Sequence, residues 1–214
     1  MSAENKNSEL MRRAAACLDL NLTDETLDRF MVYLAELKKW NKIASLTSIT
    51  GDRDIILKHF IDSLTILPFS AAASNLADLG AGAGFPSFPL GIIAPDLDIT
   101  VVESSAKKIN FLRYVSVLLE LKRVRLIHGD IFHPPPDLPG HALVTARALA
   151  APEKMFTISQ PYLNPHGRLI IMAGPGANLN HLSAKAEPFK LVTHLQLNLP
   201  ISGDKRQIFV FSIE

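Results

Sequence analysis

A glycine-rich turn is the feature of this sequence whose residue types and spacing most directly suggest ligand chemistry. The segment 77–86 reads ADLGAGAGFP; it follows a stretch typical of a strand and precedes one typical of a helix. Gly80, Gly82 and Gly84 permit positive φ angles and let a ligand approach the backbone with no Cβ in the way. The third glycine comes one residue earlier than in the dinucleotide pattern GxGxxG, and Asp78 precedes the first glycine by two positions. A purely structural turn is the alternative.

An acidic residue stands where it could assist this turn. Glu103 ends the next predicted strand, in the motif VVE, 23 residues after Gly80. In a doubly wound sheet, a carboxylate just past the second strand can accept hydrogen bonds from both hydroxyl groups of a ribose. Alternatively, Glu103 only neighbours the N-cap of the next helix, since Ser104 and Ser105 follow it. The turn and the carboxylate together resemble the nucleoside-binding site of S-adenosylmethionine-dependent methyltransferases.

Two further polar residues follow predicted strands at the same edge of the sheet. His128, Gly129 and Asp130 form a polar turn after the third strand, where the Asp130 carboxylate could meet an adenine ring or only shape a loop. Arg147 ends the fourth predicted strand, and its planar guanidinium could bind a carboxylate, a phosphate or the O6 atom of guanine. A surface arginine that caps a helix is the alternative for Arg147.

Basic residues that could contact a nucleic acid are scattered along the chain. They are Lys42, Lys58, His59, Arg168, Lys205 and Arg206. Each alone is typical of a solvated charge or, for His59, of a core histidine, so only clustering in space would support a shared role. His59 and Asp62 lie three residues apart and would share a helix face. Because no third ligand is close in sequence, we predict no metal site.

The elements that position these residues follow from hydrophobic periodicity. Residues 1–70 read as helical, with Thr23 as an N-cap and a second helix over 54–67, before Pro68. Stretches typical of strands follow at 75–79, 98–102, 123–127, 142–146, 168–172, 191–199 and 207–213, and the intervening helical segments are 86–94, 105–121 and 152–162. This alternation predicts a parallel sheet, and the turn-like ISGDKR before the last strand predicts an antiparallel pair at the edge.

The small-residue stretch 70–74 divides the chain into two parts. We expect a helical N-terminal extension over 1–70 and a Rossmann-like, doubly wound α/β domain over 71–214.

Composition excludes several classes of protein. The 214 residues are 48% hydrophobic and 20% charged, which is ordinary for a globular protein, and the formal net charge of +1 gives no overall nucleic-acid signature. Apolar stretches are interrupted before they reach the length of a membrane span, and the polar start MSAENKNSEL predicts no signal peptide. Cys17 is the only cysteine, which excludes an intrachain disulfide and fits a reducing cytoplasm. We therefore expect a cytoplasmic protein, and a monomer.

Longer motifs resemble a single known family. They are LKKWNKIASLTS (37–48), KHFIDSL (58–64), ADLGAGAGFPSFPL (77–90), VVESSAKKINFLR (101–113) and VTARALA (144–150). Over nearly the whole chain, the sequence resembles the small-subunit rRNA guanine-N7 methyltransferases of the RsmG or GidB type. The resemblance implies a class I methyltransferase with a mostly parallel seven-stranded sheet, the cofactor S-adenosylmethionine, and methylation of a guanine N7 in 16S rRNA. The implied partner is 16S rRNA or the 30S subunit.

The same resemblance assigns roles to individual residues. It implies that Gly80, Phe85 and Arg147 contact the cofactor, that the dipeptide 131–132 contacts adenine, and that Arg206 is the arginine before the final strand. Arg147 is the expected catalytic residue, because class I methyltransferases present substrate-side residues at the end of the fourth strand. The predicted cofactor site comprises Asp78, Gly80, Gly82, Gly84, Phe85, Glu103, Asp130, Ile131, Phe132 and Arg147.

The sequence departs from the family pattern at a few positions. Ser45 stands where the family usually has Asn, Ser87 where it has Gly, and residues 130–132 where it has Arg-Ala-Glu. The family's lysine after the fifth strand is Ala173 here. We therefore expect a different adenine pocket, and RNA contacts or charge balance that do not use a lysine at position 173.

The expected chemistry requires little beyond geometry. Guanine N7 carries a lone pair, so its attack on a sulfonium methyl group needs no general base, and the protein would act by holding the reacting atoms in line at about 3 Å. Two alternatives share the fold: a small-molecule methyltransferase and a non-catalytic RNA- or ribosome-binding relative. A deep, closed apolar pocket over the methyl position would favour the first, and failure to bind the cofactor would favour the second.

Overall fold

The computed structural model describes residues 3–71, 73–147, 154–178 and 186–213. The helices are α1 Ala3–Ala16, α2 Asp24–Ala44, α3 Asp52–Ile55, α4 Asp62–Leu64, α5 Leu67–Ser70, α6 Ser87–Ile93, α7 Ala106–Leu118 and α8 Lys154–Ser159. The strands are β1 Asn75–Leu79, β2 Asp98–Glu103, β3 Val124–His128, β4 His141–Arg147, β5 Leu163–Ala173, β6 Phe189–Asn198 and β7 Lys205–Ile213. A π-helical turn, Ile56–Ile61, joins α3 to α4, and a 3-10 turn, Gln160–Tyr162, joins α8 to β5.

The strands form one mixed sheet in the order β3-β2-β1-β4-β5-β7-β6. Strands β1 to β5 are parallel to one another, while β7 runs antiparallel to both β5 and β6. The winding reverses between β1 and β4, so the crevice where doubly wound folds bind ligands lies at the carboxyl ends of these strands. The predicted fold class is confirmed. The predicted strands are all present, although β5 begins at Leu163 rather than at residue 168.

The helical segment, residues 3–70, is the described part of the predicted N-terminal extension. It matches the prediction near its first helices and departs from it near its last ones. Thr23 is the N-cap of α2, as predicted, because its hydroxyl accepts a hydrogen bond from Thr26 N. The single helix predicted over 54–67 is instead α3, the π-helical turn and α4, which ends at Leu64, and Pro68 lies within α5. A π-helical turn inserts a residue without ending the helix, so the apolar pattern runs on through it.

The helices cover both faces of the sheet. One large cluster of buried side chains includes residues of α1, α2, α6 and α7 together with β1 and β2, and α8 packs in a second cluster against the opposite face. Because the helical segment and the sheet share a core, the division near residue 70 stays a prediction. Residues 148–150 of the motif VTARALA and the start of the helix predicted from 152 lie outside the described residues.

Tyr33 connects α2 to the glycine turn. Its ring is fully buried and stacks on Phe85 with the ring centroids 5.5 Å apart, and its hydroxyl donates to Ala83 O at 2.5 Å. Burial raises the pKa of Tyr33 well above its ordinary value, so the hydroxyl keeps the proton that it donates. The N-terminal helices therefore help to fix the conformation of the turn that follows β1.

Replacing Gly84 with alanine should destabilise the fold. Gly84 has a φ of +98°, and a Cβ there would lie 2.6 Å from Tyr33 Oη and 2.9 Å from Phe88 Cγ. Gly203→Ala is the matched control, because Gly203 also has a positive φ but its Cβ would meet nothing within 4 Å. We expect Gly84→Ala to lower the free energy of unfolding by about 1–3 kcal/mol more than the control, through overpacking. Urea denaturation measures both losses, and equal losses would contradict this packing.

Candidate functional site

An open cleft of about 470 Å³ lies at the carboxyl ends of the parallel strands. A cavity of this size suits a small-molecule ligand or cofactor. The predicted cofactor-site residues that line it are Gly80, Gly82, Phe85, Glu103, Asp130, Ile131, Phe132 and Arg147. His59, predicted as an RNA contact, also lines it, whereas Asp78 and Gly84 do not. The cleft therefore brings together residues of four strands and of the helical segment.

The glycine turn divides its residues between the cleft and the core. Gly80, Gly82 and Gly84 all have positive φ, as predicted, and Gly80 N donates to Val102 O at 2.7 Å. A Cβ on Gly82 would meet nothing within 4 Å, so this glycine presents open backbone to the cleft. Gly84, by contrast, faces the core at Tyr33. Its requirement for glycine comes from packing rather than from the approach of a ligand.

Glu103, the last residue of β2, fixes the cleft floor with its carboxylate. Oε2 accepts a hydrogen bond from Gly82 N at 2.9 Å, and Oε1 accepts one from Ser105 N at 2.8 Å. Ser105 is the N-cap of α7, so Glu103 does neighbour a cap. It also lines the cleft, and each of its oxygens has a second lone pair to offer a hydroxyl group. The structural and the ligand-binding interpretations of Glu103 are thus compatible.

Asp78 lies behind the glycine turn and not in the wall of the cleft. Its side chain is fully buried, and Oδ2 accepts a hydrogen bond from Ser87 N at 3.1 Å. Burial raises the pKa of Asp78 to about 6, although hydrogen bonding at Ser87 N opposes this shift. Asp78 therefore holds the start of α6 against β1 and supports the turn from beneath, and its predicted part in the cofactor site stays a prediction.

The turn after β3 shapes the rim of the cleft. Asp130 Oδ1 accepts a hydrogen bond from Phe132 N at 3.0 Å, and Oδ2 lies 3.1 Å from His133 Nδ1. The bond from Phe132 N lowers the pKa of Asp130. Ile131 is buried, whereas Phe132 is 60% exposed. The Asp130 carboxylate thus shapes the turn. Ile131 offers the cleft an apolar side chain, and Phe132 offers an aromatic ring at its rim.

Arg147, the last residue of β4, is held by three residues of the helical segment. Nη1 donates to Lys58 O at 3.1 Å and to Asp62 Oδ2 at 3.2 Å, and Nη2 donates to His59 Nδ1 at 2.6 Å. Its guanidinium lies 5.3 Å from the centroid of the Phe85 ring. A guanidinium has five N–H donors, and the bonds within the described residues use three of them, which leaves the Nε–H and one Nη2–H for a ligand. Arg147 is not a surface arginine that caps a helix.

His59 is a neutral imidazole in the cluster that Arg147 forms with Lys58, His59 and Asp62. Arginine cannot accept a hydrogen bond, so Nδ1 is the acceptor and we assign the proton to Nε2, which lies 2.8 Å from Thr47 Oγ1. The His59 ring stacks on Phe85 with the centroids 4.4 Å apart. Burial, and secondarily the charge of Arg147, lowers the pKa of His59 to about 3. The wall of the cleft at His59 therefore carries no charge at neutral pH.

The predicted RNA contacts fall into two groups. Arg206, in β7, donates from Nε to Asp62 Oδ1 at 3.1 Å, and Lys205 stands beside it at the edge of the sheet that holds the cleft. Lys58 pairs with Asp54 at 3.1 Å, and its carbonyl accepts from Arg147. Lys42 instead lines a separate small cavity beside α2, and Arg168 pairs with Leu143 near the opposite end of β4. The structure does not bring Lys42 and Arg168 together with Lys58, Lys205 and Arg206.

Sequence reasoning missed several parts of the site. The lining residues that it did not propose are Leu46, Thr47, Ala81, Ala83, Ser104, Lys108 and Ile158. Asp62 was placed on a helix face with His59, but its pairing with Arg147 and Arg206 spans 85 and 144 residues. Hydrophobic periodicity does not predict contacts between residues so far apart in sequence. The hydroxyl of Thr47, in contrast, lies in the motif LTS, which is visible in the sequence.

Comparison with known proteins shows the family. The model of the GidB family, described as rRNA small subunit methyltransferase G, matches residues 26–209. This chain belongs to that family. The protein named ribosomal RNA small subunit methyltransferase G of Myxococcus xanthus is 35% identical over 207 residues, which cover 94% of this chain and 95% of that one. The protein of the same name from Lacticaseibacillus paracasei is 38% identical, covering 88% and 83%. The resemblance drawn from the motifs is confirmed.

Solved structures of lower identity support the fold alone. TrmN from Thermus thermophilus superposes with a TM-score of 0.58 at 17% identity and covers 83% of this chain and 53% of that one. A TehB-like SAM-dependent methyltransferase from Corynebacterium glutamicum gives 0.56 at 15% identity, covering 86% and 98%. Both agree with a class I methyltransferase fold. Within the described residues, no helix combines the length and the apolarity that crossing a membrane requires.

Replacing His59 with glutamine should change how stability depends on pH. The unfolded histidine takes up a proton below its ordinary pKa of 6.5, but the folded one does so only near pH 3. Stability that is complete above pH 6.5 is therefore lost as the pH falls towards 3, at up to about 1.4 kcal/mol per pH unit. Glutamine keeps an acceptor for Arg147 but does not titrate.

We expect the free energy of unfolding of the wild type, relative to His59→Gln, to fall between about pH 7 and about pH 5. Urea denaturation at these pH values measures it, and the comparison cancels other titrating groups such as Asp78. Parallel pH profiles would contradict a buried neutral histidine.

Proposed function

We propose that this protein transfers the methyl group of S-adenosylmethionine to N7 of a guanine in 16S rRNA. The observation that carries the proposal is the cleft in which Gly82 and Glu103 meet at the reversal point of the sheet, in a chain of this family. The same proposal places the protein in the cytoplasm, as a monomer acting on 16S rRNA or the 30S subunit.

The residues at the cleft fit this cofactor. Gly82 exposes backbone that a side chain would cover, and Glu103 offers an oriented carboxylate to the ribose hydroxyl groups. Ile131 and Phe132 provide apolar and aromatic surface suited to adenine. Arg147 keeps two N–H donors for the carboxylate of the methionine portion or for the guanine. The cleft thus offers both the polar and the apolar contacts that this cofactor would need.

The protein's contribution to the reaction is orientation and charge control. S-adenosylmethionine, when bound, supplies a methyl group on a positively charged sulfur, and guanine N7 supplies the attacking lone pair. Because positive charge then develops on the purine, cationic side chains beside it are unfavourable. His59 is neutral, and Asp62 pairs with Arg147, so the cluster limits the positive charge at this wall. Holding Arg147 with three bonds also fixes its remaining donors in direction, which favours alignment of the reacting atoms.

The polarity of the cleft wall favours RNA over a small apolar substrate. Around Arg147 the described lining residues include His59 and Thr47, and the cleft is open to solvent. A deep, closed apolar chamber, expected for a small-molecule methyltransferase with an apolar substrate, is not present among the described residues.

Gly82→Leu should weaken cofactor binding without unfolding the protein. The new side chain would enter the cleft, because nothing in the protein lies within 4 Å of a Cβ there. Gly203→Leu is the matched control, since Gly203 has a similar positive φ and equally open surroundings. We expect Gly82→Leu to weaken S-adenosylmethionine binding by at least about tenfold in calorimetry, with the control unchanged. Equal affinities for the two variants would place the cofactor elsewhere.

The function itself is tested with labelled S-adenosylmethionine and 30S subunits, or 16S rRNA, from cells that lack the modification. We expect label in 16S rRNA, mapped to an N7-methylguanine, and none with Gly82→Leu. A purified protein that binds S-adenosylmethionine yet leaves both substrates unmodified would overturn the proposal. Absence of cofactor binding would instead support a non-catalytic relative.

A further inference from the structure

A second groove, of about 550 Å³, opens beside the cleft where β5 ends, β7 begins and β6 ends. Its lining residues are Pro175, Ala177, Gln196, Leu197, Asn198, Lys205, Arg206 and Gln207. None of these described residues lines the cleft, so cofactor binding in the cleft does not explain this groove. Its walls combine side-chain amides with two cations, and its described lining residues include no acid. That chemistry suits a ligand rich in hydrogen-bond acceptors and negative charge.

The groove has surplus positive charge. Lys205 is exposed and has no acidic partner among the described residues, since the neighbouring Asp204 faces Lys58 at 3.9 Å. Arg206 shares the carboxylate of Asp62 with Arg147. Because arginine stays protonated, Arg147 and Arg206 carry two positive charges, and Asp62 can offset at most one of them. The three side chains together are therefore positively charged whether or not Asp62 is ionised. An anion bound in the groove would therefore meet uncompensated charge.

The groove and the cleft are coupled through Asp62. Arg206 lines the groove, Arg147 lines the cleft, and the two oxygens of this single buried carboxylate bind one guanidinium each. Three bonded side chains, Arg147, Asp62 and Arg206, thus connect the wall of the cleft to the wall of the groove.

The wall of the groove is pre-organised. Gln207, which is buried, donates from Nε2 towards the carbonyl oxygens of Gly174, Pro175 and Ala177, at 2.9–3.2 Å. Its Oε1 lies 2.8 Å from His194 Nε2. Residues 174–177, which directly follow β5, are therefore tied to β7 from within, and a ligand in the groove need not order them. Pre-organisation of this kind raises affinity by lowering the entropic cost of binding.

We infer that this groove binds the backbone phosphate of the nucleotide next to the target guanine, with Lys205 as its main cation. The inference rests on the proposed function, because it assumes that the cleft receives a base of an RNA strand. Gln196 and Asn198 add neutral donors for the phosphate oxygens or the ribose. Contacts of this type fix the position of a strand and carry no sequence information.

Lys205→Gln tests the inference, with Lys122→Gln as the matched control. Lys122 is an exposed lysine that precedes β3, at the opposite edge of the sheet from the groove. Binding of 16S rRNA and of 30S subunits is measured over a range of salt concentrations in the presence of S-adenosylhomocysteine. Removing one phosphate contact should make the slope of log K against log salt less steep by about 0.7–0.9. Lys122→Gln should keep the wild-type slope.

A second variant separates charge from side-chain length. Asn198→Asp places a negative charge opposite Lys205, which pairs with Asn198 across the two strands. We expect it to weaken RNA binding more than Asn198→Gln does, while both keep the wild-type affinity for S-adenosylmethionine. A lost affinity for the cofactor would show that the groove belongs to the cofactor site, and would overturn the inference.

The outcomes also separate this inference from the proposed function. If the wild type methylates rRNA but Lys205→Gln and Lys122→Gln have the same salt slope and affinity, the groove does not bind RNA and the proposed function stands. If the wild type neither binds nor methylates rRNA, the proposed function fails first. Saturable binding of inorganic pyrophosphate that needs Lys205, together with an unchanged RNA slope, would assign the groove to a free anion and overturn the inference.

Discussion

The buried carboxylate of Asp62 is the constraint on which the site depends. It lies in the helical segment, yet it binds Arg147 from β4 and Arg206 from β7. Burial raises the pKa of Asp62, and the two guanidinium groups oppose that shift. A buried ion pair contributes little net stability, but removing one partner leaves an uncompensated charge at a cost of several kcal/mol. The network therefore specifies where the helical segment sits on the sheet more than it strengthens the fold.

A second connection joins the helical segment to the glycine turn and explains why that segment belongs to the site. Tyr33 reaches from α2 to Ala83 in the glycine turn, while His59 stacks on Phe85 at the end of the same turn. The turn is thus held by Glu103 from the sheet and by aromatic side chains from the helices. Its open backbone at Gly82 depends on both supports, because an unsupported glycine-rich segment would lose its conformation to entropy.

The elements and residues that depend on short-range sequence patterns could be predicted, whereas contacts between residues far apart in the sequence could not. Strand alternation and the acid at the end of β2 predict the sheet and place Glu103 at the cleft, since both follow from short-range periodicity. Spacing within a turn does not tell which residues face a ligand and which face a core, and the structure places Asp78 and Gly84 behind the cleft. Ser45 adopts a left-handed conformation at the end of α2, which residues other than Gly, Asn and Asp seldom take and which the sequence around it does not signal. The triad of Asp62 with two arginines requires the folded chain.

The near-neutral charge of the chain is compatible with an RNA substrate because its positive charge is concentrated. A formal net charge of +1 gives little long-range attraction for a polyanion, and beyond about 8 Å salt screens what remains. Arg147, Arg206 and Lys205 nevertheless lie along one edge of the sheet with Asp62 as the one acid paired among them in the described residues. Such an arrangement acts through direct contacts with a ligand that is already at the surface, rather than through long-range attraction. How strongly an anionic ligand is held then depends on how many of its acceptor atoms meet these donors at once.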